Sequence, residues 1–269
     1  MSQILRSVIK GVGSITLNRP EHGNAITASM MQELFASLDD FQGNPEVRVI
    51  TITGAGKYFC TGMDLKGNDV DFSKTKPYAP FEKIWGSTKP VIGIINGPAL
   101  GGGVGIMFSC DIRVMAKDAH IAFPEVSLGI FPALISGYIA PQLGPYLTQS
   151  LMLTGQAMTA LELLNHGVVT SVAIDKEELA VHVASIVAKL MSGPVSSHAG
   201  VKRLIRLINY CGEYHVEVMD ALVQEFQAMM RSPEARFGMK SFGAKKEKPD
   251  WTQFYASNSG TKKTDKSKL

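Results

Sequence analysis

Apolar and polar residues alternate over Gly13–Leu17 (GSITL), the two-residue period of a half-buried strand, and Asn18-Arg19-Pro20 ends that run in a turn. The period then lengthens. Met30, Met31, Leu34, Phe35, Leu38 and Phe41 fall at helical spacing within residues 27–41, with Thr27 as the N-cap and Glu33 in the early helix. Val47–Thr53 and Val91–Ile95 are apolar, β-branched runs of strand length, and Ala119–Phe123 is a short third. Strands and helices alternate to about residue 175, which predicts an α/β architecture. Beyond that point the pattern is helical, over 176–191, 196–209 and 213–230. Gly193-Pro194 punctuates the change and divides a core of residues 1–193 from a helical region of 194–254. Residues 255–269, rich in Ser, Thr, Lys, Gly and Asn, are expected to be disordered.

Composition narrows the class. A chain of 269 residues suits one α/β unit with an appendage. The formal net charge is +3, but eight lysines from Lys240 onward face only Glu247, Asp250 and Asp265. The tail is therefore basic and the body slightly acidic, with no basic face for nucleic acid. Residues 91–110 carry no charge and are long enough to span a bilayer, yet they hold six glycines, Pro98 and Asn96. A buried strand, a turn and a buried helix are expected there, and no membrane association. The start, MSQILRSVIKG, lacks the apolar stretch of a signal peptide. Cys60, Cys110 and Cys211 are isolated, so neither a disulfide framework nor a metal site is expected. Ser267-Lys268-Leu269 reads as a peroxisomal address recognised by an import receptor. The expected location is the peroxisome, or a peroxisome-derived organelle such as the glycosome.

Two glycine-rich loops carry the candidate chemistry. Asn96-Gly97-Pro98-Ala99-Leu100 runs into Gly101-Gly102-Gly103-Val104-Gly105, at a strand-to-helix junction. Glycine allows close backbone approach, and a helix start offers free N–H groups to a negative oxygen. Tight helix–sheet packing explains the same glycines equally well. A dinucleotide fingerprint fits poorly, because Ile106 occupies its third glycine position. The upstream loop is Gly54-Ala55-Gly56-Lys57-Tyr58-Phe59-Cys60-Thr61-Gly62-Met63-Asp64-Leu65. Together the two loops could aim two N–H groups at one oxygen, forming an oxyanion hole.

In this order, GxGxxFCxGxDL, NGxALGGG…CDIR and PEVxLG resemble the enoyl-CoA hydratase/isomerase (crotonase) family. Asn18-Arg19-Pro20…Asn24-Ala25-Ile26-Thr27 is similar to its early NRPxxxNAL, and Phe242 and Lys245 to its C-terminal signature. The resemblance covers residues 1 to about 251. It implies an α/β fold, a spiral of ββα units followed by a helical trimerisation region, in a homotrimer or hexamer. It implies an acyl-CoA thioester substrate, with coenzyme A part of the substrate and no separate cofactor. The hole donors fall on the backbone N–H groups of Met63 and Gly102, and a side chain at Gly102 is expected to push its N–H away. Ala25, Asp64, Leu65 and Gly101 are implied substrate contacts, with Asp64 and Asp111 also expected to organise loops. Phe242 and Lys245 match positions that touch coenzyme A across a subunit contact.

The resemblance also assigns acid–base chemistry. Family hydratases use two glutamates. The second matches Glu125, between Phe123 and Val126, where an apolar site should raise its pKa. The first, twenty positions earlier, falls on Gly105. Hydration needs one group to activate water and another to deliver a proton, whereas moving a double bond needs one base. One glutamate therefore points to 3-enoyl to 2-enoyl isomerisation. Against this, Gly129-Ile130-Phe131-Pro132-Ala133-Leu134-Ile135-Ser136 is similar to hydratase members that act on branched acyl-CoAs, in which Ser136 or Tyr138 could place water. Decarboxylation and non-catalytic thioester binding are the other readings.

Overall fold

The computed structural model describes residues 2–65, 78–210, 214–245, 249, 253–254 and 257. The chain opens with a hairpin in which β1 (Ile4–Ile9) pairs antiparallel with β2 (Val12–Leu17). Lys10 and Gly11 both carry positive φ, 49° and 81°, the two-residue turn that suits strand twist. β2 contains the predicted GSITL strand. β1 has no counterpart in the sequence pattern because only its Ile4 is buried, leaving no alternating apolar face.

Helix α1 (Ala28–Gly43) follows, and the Thr27 hydroxyl accepts from Met30 N–H at 3.0 Å, as an N-cap does. Met30, Met31, Leu34, Leu38 and Phe41 form its buried face. Next come β3 (Val49–Gly54), α2 (Ala79–Gly86), β4 (Val91–Ile95), β5 (Ala99–Leu100) and α3 (Gly102–Ser109). The uncharged 91–110 stretch is thus two strands and a buried helix. After these lie β6 (Ile112–Ala116), β7 (His120–Ala122), a 3-10 turn over Pro124–Leu128, α4 (Ala133–Leu143), α5 (Pro145–Thr154), β8 (Met158–Thr159), α6 (Ala160–Asn165) and β9 (Ser171–Ala173).

A six-stranded sheet runs in the order β1-β2-β3-β4-β6-β9, parallel apart from the first pair. A three-stranded sheet runs β5-β7-β8. β4 leads into β5, and β6 into β7, so successive turns of the chain contribute to both layers. Isolated bridges Ile26–Met63 and Cys60–Ala99 extend the smaller layer back to earlier turns. This is the spiral that the resemblance implies.

Alternate strand residues face opposite sides. Val49, Ile92, Val114 and Ala173 pack with Leu179 of α7 (Lys176–Met191), while Ile50, Ile52, Val91, Ile95 and Met115 enter the main core. Arg48 fixes the end of α7 by donating to the Met191 and Gly193 carbonyls at 2.8 and 2.7 Å. The three helices predicted from the pattern are α7, α8 (Val195–Tyr210) and α9 (Tyr214–Met230), and a further helix, α10 (Pro233–Lys245), follows them. α9 folds back, placing Met219 in the main core and Met229 against Leu128, Ile130 and Ala235. The terminal segment with Ser267-Lys268-Leu269 lies outside the described residues.

The chain segments leading to the two glycine loops are packed backbone to backbone. A Cβ on Gly103 would lie 2.1 Å from the Cys60 carbonyl oxygen, while nothing lies within 4 Å of one on Gly43. We predict that Gly103→Ala lowers unfolding free energy by about 3 kcal/mol, whereas Gly43→Ala is neutral or slightly stabilising. Urea denaturation of the two variants checks this.

Candidate active site

The site is built where the two loops cross. Leu100 N–H donates to the Cys60 carbonyl at 2.9 Å, and Phe59 N–H to the Pro98 carbonyl at 3.1 Å, which sets their register. Gly62 has φ +95°, and a Cβ there would sit 3.0 Å from the Leu100 oxygen and 3.1 Å from Gly102 N. Only glycine accepts both the conformation and the approach.

On either side of Met63, Ile26 N–H donates to the Gly62 carbonyl and Asp64 N–H to the Ile26 carbonyl. Parallel pairing of this kind turns the intervening Met63 N–H away from Ile26. Gly102 is the first residue of α3, where N–H groups have no intrahelical partner. Among the described residues no backbone carbonyl accepts from Met63 N–H or Gly102 N–H. Both residues line one large cavity. The pair can hold an oxygen that gains negative charge, aided by the helix dipole. A Cβ at Gly102 would make ordinary contacts, 3.5 Å to Gly62 Cα and 3.6 Å to Met63 N. The backbone therefore leaves room for it, contrary to the expectation from sequence, and the steric demand for glycine falls on Gly62 and Gly103.

Glu125 reaches the same place from the turn after β7. A Cβ on Gly101 would lie 2.8 Å from Glu125 Oε1, so the carboxyl lies against the Gly101 backbone. Its Oε2 is sealed from solvent and has no hydrogen-bond partner among the described residues. Burial pushes its pKa up to about 7, against a smaller downward pull from its own backbone N–H. A carboxyl so poised can both take and return a proton near neutral pH.

The position of the missing glutamate is closed. Gly105 lies one helical turn beyond Gly101, and a Cβ there would sit 2.4 Å from Ile135 Cγ2 and 2.7 Å from Phe81 Cε1. A second carboxylate at residue 105 would have to displace both side chains. Ser136 and Tyr138 do not line the cavity. Ser136 donates to the Ala133 carbonyl at 2.7 Å, and the buried Tyr138 ring packs between Phe81 and Trp85 at 5.8 and 6.1 Å.

The cavity has a volume of about 1120 Å³. Arg19, Glu21, His22 and Tyr58 contribute polar groups to its wall, and Phe81, Leu134, Ile135, Phe226, Met229 and Met230 apolar surface. Ala25, Asp64, Leu65 and Gly101, the substrate contacts implied by the resemblance, line it too. Asp64 pairs with Arg19 at 3.1 Å, and Arg19 also donates to the Ala25 carbonyl at 2.6 Å. It therefore organises its loop. Asp111 does likewise, accepting from Val91 N–H at 2.7 Å and Lys202 Nζ at 2.5 Å. Phe242 and Lys245 belong to α10, but their side chains lie outside those described. Cys60 is buried, donates to the Asn24 carbonyl at 3.2 Å and has its thiol pKa pushed up to about 12 by burial, which unfits it as a nucleophile.

Sequence reasoning missed two parts of the wall. The residues of α9 lie far from the motifs in sequence, and only the fold returns them; Phe131 N–H donates to Met229 Sδ at 2.8 Å, tying the loop to the helix. Ile135 lies in the Gly129–Ser136 stretch, read only for its likeness to hydratase members, and Phe81 drew no reading.

The enoyl-CoA hydratase/isomerase family model matches residues 8–254. The chain belongs to the enoyl-CoA hydratase/isomerase family of acyl-CoA enzymes. It is 33% identical over 249 residues to the enoyl-CoA hydratase ACTT6 of Alternaria alternata, covering 90% of this chain and 82% of that one. It is 32% identical to a carnitinyl-CoA dehydratase of Salmonella enteritidis, covering 93% and 99%. Among solved structures, a carnitinyl-CoA hydratase from Mycobacterium avium superposes with TM-score 0.81 at 27% identity, covering 94% of this chain and 99% of that one.

The raised Glu125 pKa has a consequence for stability. The folded state binds this proton more tightly than the unfolded chain, whose carboxyl titrates near its ordinary 4.5. Its contribution is fully present below pH 4.5 and is lost as pH rises through about 7. Glu125→Gln is expected to remove this dependence and to exceed the wild type in stability at about pH 8 by roughly 2–3 kcal/mol. Urea denaturation across that range measures it.

Proposed function

We propose that this protein is an enoyl-CoA isomerase that moves a double bond from C3–C4 to C2–C3 of an acyl-CoA. The observation that carries the reading is one carboxyl with a sealed, unpartnered oxygen, in the same cavity as two N–H donors with no backbone acceptor, and with the second acid–base position filled by hydrocarbon. Of the other acids lining the cavity, Asp64 is paired with Arg19 and Glu21 is exposed.

In this reading Glu125 takes a proton from C2, and the electron pair moves onto the thioester oxygen, held by Met63 and Gly102 N–H. The resulting dienolate takes the same proton back at C4, and C2–C3 becomes the double bond. Nothing is consumed, and one carboxyl serves both transfers.

A second reading, hydration, is favoured by the names of the relatives, among them an enoyl-CoA hydratase and a carnitinyl-CoA dehydratase. Product analysis with 3-enoyl-CoA and 2-enoyl-CoA separates the two. Isomerisation is expected to dominate, and Glu125→Gln to lower it by about a hundred- to ten-thousandfold while thioester binding survives. Efficient hydration by the wild type with little isomerisation would favour the second reading.

A further inference from the structure

Gly101 caps α3 with φ 50°, and Gly105 lies one turn further on, its N–H donating to the Gly101 carbonyl at 3.3 Å. Against the first lies the Glu125 carboxyl, and against the second lie Ile135 and Phe81. Ile135 comes from α4 and Phe81 from α2, and both line the cavity with Glu125. They are 4% and 2% exposed, and Tyr138, itself 1% exposed, packs behind the Phe81 ring. Hydrocarbon thus fills the second acid–base position, one turn of backbone from the glycine that the Glu125 carboxyl lies against, and it borders the same cavity. A void needs room for one water and two or more polar partners before water occupies it. The Ile135 and Phe81 side chains fill that space and offer no such partner.

We propose that Ile135 and Phe81 form a dry wall that keeps the proton carried by Glu125 from exchanging with solvent during turnover, and so set the outcome of the reaction. The inference rests on the isomerase reading above and deepens it. During the life of the dienolate, Glu125 carries the proton removed from C2. If water reaches Glu125, that proton exchanges, and water also gains access to C3 of the product. Behind the wall the proton can return only to the dienolate, at C2 to regenerate substrate or at C4 to give product, so transfer from C2 to C4 is intramolecular. Atoms balance without a co-reactant: the C2–H bond breaks, the C4–H bond forms, and the π pair moves from C3–C4 to C2–C3. Exclusion of water as a guard against proton leakage is a recognised use of a closed site. Ile135 and Phe81 are specificity-determining residues in this scheme, since they move no proton themselves.

The test is turnover of unlabelled 3-enoyl-CoA in D₂O, with deuterium at C4 of the 2-enoyl product counted by mass spectrometry and NMR at early conversion. The wild type is expected to place deuterium at C4 in no more than about a tenth of product molecules. Ile135→Ala and Phe81→Leu, each opening the wall from a different helix, are expected to raise that fraction at least about fivefold. A loss of rate through misfolding would not by itself change where the label goes, so partly active variants remain informative. Heavy C4 labelling by the wild type would overturn the proposal, as would unchanged labelling in both variants. If the wild type instead hydrates and scarcely isomerises, the isomerase reading itself fails, a result distinct from either labelling outcome.

Discussion

The close passage of residues 57–63 over residues 97–103 is the constraint on which the rest of the structure depends. Cβ atoms on Gly97 and Gly103 would sit 1.9 Å from the Lys57 oxygen and 2.1 Å from the Cys60 oxygen. Side chains at either place would separate the two segments, and with them the N–H groups of Met63 and Gly102. The crossing is held by ladder hydrogen bonds between Cys60 and Leu100 and between Phe59 and Pro98. The large parallel sheet behind it therefore acts as a jig. Its register fixes where each loop leaves, and the loops bring two N–H groups with no backbone acceptor to one cavity. Preorganisation of this kind is effective because the donors need not move when charge develops.

The same burial that strengthens those dipoles works against Glu125. A carboxyl with one oxygen sealed from solvent and unpartnered is held largely protonated until near neutral pH, at a cost to stability once ionised. In the proposed isomerisation that cost is the counterpart of a proton carrier matched to neutral conditions, and the wall proposed at Ile135 and Phe81 would deny that proton other partners.

Much of this was legible in the sequence. Thr27 as a cap, the strand at Val91–Ile95 and the helix at 176–191 follow from local periodicity and polar placement, and the structure has them there. Glu125, Met63 and Gly102 were found through motif order, and the fold does bring them to one cavity. Strand β1 escaped because its outward residues carry no buried alternation. The closed space at Gly105 escaped for a different reason. Glycine in a sequence reports an absent side chain, but not what fills the gap, and here Ile135 and Phe81 come from other helices. Likewise the residues of α9 that line the cavity depend on a tertiary return with no local signal.

The central claim is that Met63 and Gly102 N–H grip a thioester oxygen at this crossing. Infrared difference spectroscopy of a bound 2-enoyl thioester, carrying a ¹³C label at its carbonyl, measures that grip directly. A carbonyl stretch moved to lower frequency than that of the same thioester in water is the predicted result, and one unmoved or raised in frequency in the bound state would contradict it.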